Sequence, residues 1–178
     1  FAARTTDVAL FEDLARRDVL AFAAHWVPGH AAQVAEPRAL VAALRAFCAW
    51  AVETHEVEGL ADVDAELAAL ADDLPRVVAL ARGHGLGAQR TNPAESEFVA
   101  RMVRRAPTGW QLEPAAGGVA RQYQVDVGAR AFENEVRDGD VVVVAVEQAA
   151  SSELPGVVRV LGVYPPACAR LWTSDAQR

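Results

Sequence analysis

The 178-residue sequence contains no lysine and no isoleucine, and only two cysteines and one methionine. Without lysine there can be no phosphate-binding P-loop, so Gly83-His84-Gly85-Leu86-Gly87 reads as a helix end followed by a link. Cys48 and Cys168 are too few and too far apart for a disulfide framework. That cysteine usage, with no basic-then-apolar leader at the start, points to a reducing, cytoplasmic home. Serine is scarce, Gly-x-Ser-x-Gly is absent, and neither cysteine has a neighbouring histidine in sequence, so no nucleophile motif emerges. The longest uninterrupted apolar run, Ala46 to Val52, is far short of the roughly 20 residues a membrane helix needs.

What is present is globular: 52% hydrophobic and 23% charged residues exclude a disordered chain. All 17 cations are arginine, and alanine is abundant. That bias fits a GC-rich bacterial genome and lowers the functional weight of any single Ala or Arg. The net charge of -7 is carried by residues 1–79, because acids and arginines balance in residues 80–178. Such a field repels phosphate and disfavours nucleic acid at the first part.

Alanine concentrates before Pro107 and valine after it, which divides the chain into a helical part over 1–106 and a β part over 107–178. A first helix is expected from Thr6 or Asp7 to Phe22, with a break at Pro28-Gly29. The helix Arg38 to His55 carries a single charge, Arg45, between Ala39 and Val52 and is expected at the centre, with Phe47 and Trp50 in the core. Asp62 should cap a third helix, which Pro75 kinks or restarts and Gly83 closes. Asn92-Pro93-Ala94-Glu95 has the form of a helix start, which predicts a last helix to about Arg105. Strands are expected at Trp110–Leu112, Val119–Val127, Val141–Val146 and Val157–Val163, with Val141–Val146 buried on both faces. The expected fold is therefore α+β: an N-terminal helical bundle, then a small antiparallel β-barrel-like unit docked against it.

Two constellations could carry chemistry. His25, His30, Glu53, His55 and Glu56 are residue types that ligate transition metals, and would serve a metal-dependent enzyme if the fold brought them together. Antiparallel packing of the first two helices would instead put His25 and His30 at one end and His55 at the other. Arg101, Arg104, Arg105 and Arg121 could contact phosphates, with Trp110 stacking on a base. With neither motif complete, the leading expectation is a non-enzymatic binding or adaptor module with a protein partner, no membrane and no cofactor.

Overall fold

The computed structural model describes residues 11–87, 96–106, 109–115, 117–126, 132–148 and 156–171. Helices come first and a closed five-stranded barrel follows, as the α+β expectation required. The Thr6 and Asp7 caps and the Asn92-Pro93 start lie outside the described residues.

The first helical segment, α1 (Arg16–Leu20), continues through a π-helical stretch (Ala21–Trp26) into α2 (Val27–Gly29). Pro28 has no N–H to return to the Ala24 carbonyl four residues earlier. The buried Cys168 thiol donates to that oxygen instead, at 2.8 Å, which ties the chain after the barrel to this helix. Next come α3 (Pro37–His55) and α4 (Asp64–His84). A left-handed Glu56 (φ 52°) ends α3. The end of α4 is Gly85 (φ 65°), two residues beyond the expected Gly83, and the helix continues through Pro75 as one element.

The central helix is α4, and this corrects the expectation for α3. On α4, Leu67, Leu70, Leu74, Val77, Val78 and Leu80 are all buried, whereas α3 buries only Val41, Cys48 and Ala51. A leucine or valine removes far more apolar area from water than an alanine, so the leucine-rich helix takes the interior. Phe47→Ala is therefore expected to cost less than about 1 kcal/mol in urea melts, rather than the roughly 3–5 kcal/mol of a buried aromatic. A loss in the higher range would return Phe47 to the core.

A second correction concerns residues 96–106, which form strand β1 (Ser96–Ala106) rather than the end of a helix. Their pattern has a period of two. Phe98, Ala100 and Met102 join the barrel core, while Glu97 and Arg101 are exposed. β1 pairs with β2 (Gly109–Pro114) and with β4 (Val141–Gln148), so tertiary pairing overrode the cap-like residues before it. Strand β3 (Arg121–Val125) joins β2, and β5 (Gly156–Tyr164) closes the ring between β3 and β4. The barrel is not wholly antiparallel, since β3 and β5 run parallel. The order β1-β2-β3-β5-β4 with that single parallel pair is the topology of an OB-type barrel.

Strand β4 explains its unbroken valine run. Val142 and Val144 belong to the barrel core, while Val141 and Val143 pack with the helices. The central helix is shared in the same way, since Val77 and Leu80 enter the barrel core while Leu67, Leu70 and Leu74 hold the helical one. Between these layers the Arg76 guanidinium grips both carboxylate oxygens of fully buried Asp140, at 2.7 and 2.9 Å.

Candidate interaction surface

The expected metal ligands do not converge. His30 Nδ1 lies 2.9 Å from the Trp26 carbonyl, and its ring stacks on the Trp26 indole at 4.1 Å. The His25 ring lies 5.5 Å from Tyr164 on β5. His55 sits instead at the far end of α3 against Trp50 and Phe11, and Glu53 and Glu56 are exposed beside it. Among the described residues no group of three or more His, Cys, Asp or Glu is arranged to hold a metal ion. His55 closes α3 while His25 and His30 precede that helix, and the two groups have different aromatic neighbours.

The four arginines of the phosphate reading fall on strands rather than on a helix end. Arg101 and Arg104 lie on β1 opposite Glu113 and Gln111 of β2, and each hydrogen-bonds to that partner. Arg105 donates to the Asn134 side chain and to the Asn134 and Val136 carbonyls. Arg121 on β3 is in register with inward-facing Leu112, so it stands on the opposite parity from Gln122 and Gln124. Trp110 is fully buried in the barrel and offers no face to a base, which corrects the stacking role expected of it. In OB-type barrels the β2–β3 face takes up oligonucleotides or oligosaccharides. Here its outward positions are Gln111, Glu113, Gln122 and Gln124, without a cation among them.

An open cleft of about 710 Å³ lies between the start of α1, α4 and the turn after β5. Leu20, Ala69 and Ala167 give it apolar walls, and Arg16, Arg17, Glu66 and Arg170 stand at its edges. Arg16 donates to Glu66 through both Nε and Nη2, so opposite charges within the cleft already satisfy each other.

The more informative surface is on α3. Among the described residues four large apolar side chains are exposed: Phe11 (39%), Phe47 (36%), Trp50 (48%) and Val119 (81%). Three of the four meet at one place. The Phe11 ring centroid is 6.0 Å from those of both Phe47 and Trp50, and 5.4 Å from that of His55. Helical spacing sets this arrangement, because residues three apart share a face and put Phe47 beside Trp50, at 6.1 Å. The same outer surface continues through Ala39, Ala42, Ala43, Ala46 and Ala49, all exposed.

Charge lies at one edge of this surface and at its two ends, where Arg38 and Glu53 are exposed. Arg45 forms a two-pronged ion pair with Asp64 of α4, at 2.6 and 2.8 Å. Those hydrogen bonds hold the Asp64 carboxyl below the usual carboxylate range. They tie α3 to α4 while leaving the alanine and aromatic stripe bare. The single charge between Ala39 and Val52 is the sequence signal for this surface, and a helix so poor in charge fits a buried position equally well. No helix among the described residues is long and apolar enough to cross a membrane. No family model, curated protein or solved structure matches the chain.

Proposed function

We propose that the protein is a non-catalytic binding module whose contact surface is the outer face of α3 together with Phe11. The observation that carries this reading is the meeting of three exposed aromatic rings on a helix face that is otherwise alanine. Scattered apolar residues on a surface need no explanation, but a contiguous aromatic patch with charge at its rim has the anatomy of an interface. Aromatic side chains also contribute a disproportionate share of binding energy when a partner removes them from water. The partner this chemistry suits is another protein with an apolar face.

A photo-crosslinking amino acid placed at Trp50 tests this reading, with one at exposed Gln124 on β3 as the control. The expected result is a discrete crosslinked species from position 50 and none from position 124. Equal crosslinking from both positions, or none from either, would remove the assignment.

Nucleic acid is the weaker reading. Arg101, Arg104 and Arg105 already donate to protein acceptors, and the -7 charge opposes phosphate. Generic oligonucleotides at physiological salt should bind with a dissociation constant weaker than about 10 μM. Fluorescence anisotropy at two salt concentrations measures it. Submicromolar binding that disappears when Arg101, Arg104 and Arg105 are changed to Ala would make the arginines functional.

A further inference from the structure

We propose that the outer face of α3 takes a second copy of this chain, the two helices lying antiparallel about a two-fold axis that passes beside Ala46. The proposal rests on the reading of the same face as a contact surface and names its occupant.

Charge order along the helix selects the orientation. The exposed cations Arg38 and Arg45 lie in the first half of α3, whereas Glu53, Glu56 and Glu58 lie at or just beyond its end, all exposed. Parallel pairing would set like charges side by side. Antiparallel pairing sets Arg38 of each copy beside Glu53 of the other, and it also opposes the two helix dipoles. Arg38 lies 3.8 Å from Asp72, and both side chains are strongly exposed, so this weak surface pair can give way to Glu53 of the other copy.

Shape agrees with charge. A helix of 19 residues is roughly 28 Å long, and a two-fold axis at Ala46 places residue n of one helix opposite residue 92 - n of its mate. Trp50 then lies over Ala42 and Ala43 of the other copy, a large side chain on two small ones. Ala46 meets its own symmetry mate, which lets the helix axes approach closely. Glu53 falls at the level of Ala39 and Arg38, and helical rotation puts Glu53 and Arg38 toward the same side of the contact line. A pair of this kind is isologous and closed, so it stops at two copies. Phe11 and Phe47 stand at its margin, where they extend the apolar contact beyond the helix pair.

Sedimentation equilibrium of the full chain from low to high micromolar concentration tests the proposal. The wild type should dimerise reversibly. Ala46→Glu sets two carboxylates against each other at the axis and should weaken the dimer more than about a hundredfold. Its circular dichroism and dilute-solution melt should not change, because position 46 is exposed in one copy. Arg38→Glu and Glu53→Arg should each weaken association about tenfold, and the double exchange should recover most of the loss. Failure of the double exchange to recover association would overturn the antiparallel register. Acrylamide quenching of wild type against Trp50→Phe separates the remaining outcomes. A monomer at high concentration with Trp50 open to quencher ends the self-pairing proposal and leaves the contact-surface reading standing. If the monomer instead shields Trp50, both are refuted.

Discussion

Asp140→Ala is expected to destabilise the protein by about 3–5 kcal/mol, the range for removing one partner of a buried ion pair. Asp140 is fully buried, and Arg76 is only 14% exposed. Two Arg76 nitrogens reach the two carboxylate oxygens at 2.7 and 2.9 Å, and the Arg137 backbone N–H donates to one of them at 2.8 Å. Arg76 also donates to the Glu135 carbonyl at 3.1 Å and lies 3.4 Å from Asp73. The carboxylate therefore joins two elements, the central helix and the segment that leads into β4. Truncation leaves a guanidinium facing an apolar interior, with Asp73 its one remaining carboxylate.

The loss should be partly reversed when Arg76→Met accompanies Asp140→Ala, because an apolar side chain of similar length removes the stranded charge. Urea unfolding of the wild type, both single variants and the double variant gives the coupling energy directly. A single-variant loss under about 1 kcal/mol would show that the pair is dispensable to the docking of α4 on the barrel.

Trp110→Ala should have a comparable effect, again about 3–5 kcal/mol, as expected when a fully buried large aromatic is cut to a methyl. Trp110 fills the barrel with Met102, Leu112 and Val144, and those neighbours are fixed in strands that cannot collapse inward to close the void. Its indole Nε1 is buried without a hydrogen-bond partner, so part of the packing gain is already offset by a stranded donor. Trp110→Phe removes that donor and keeps most of the ring, and should cost much less than Trp110→Ala. Thermal or urea melts of the two variants distinguish the cases. Equal losses would mean that the ring kept by phenylalanine restores no packing and that filling this volume does not stabilise the barrel.

Particular residues show how far the sequence could be read. The valine run at 141–146 could be recognised as a strand buried on both faces because β-branched residues in an unbroken run suit a sheet covered on two sides. The end of the first helical segment was legible in part, since Pro28 and Gly29 form its last helical residues before His30 rather than interrupting it. At 96–106 the reading failed for a nameable reason: Asn92, Pro93 and Glu95 imitate a cap, while the alternation of Phe98, Ala100 and Met102 is a strand signal. Only pairing with β2 and β4 decides between the two. Burial of α3 was misjudged because an alanine-rich helix looks the same from sequence whether its outer face is covered or bare. The expected ligands and arginines were identifiable as residue types, but whether they converge depends on contacts across the chain.

Composition and local pattern therefore determined the α+β class, the order of helices before strands, the acidity of the first part and the lack of an apolar span. These follow from properties that each residue carries into any fold: side-chain volume, branching, charge and the freedom of φ. Tertiary structure decided which helix lies at the centre, that Ser96–Ala106 completes a barrel with one parallel pair, and that Asp140 meets Arg76 from 64 positions away. It also decided that Phe11, Phe47 and Trp50 come together at the surface. Those outcomes depend on competition among distant segments for the same interior, and leucine-rich α4 won the place that α3 could also have filled.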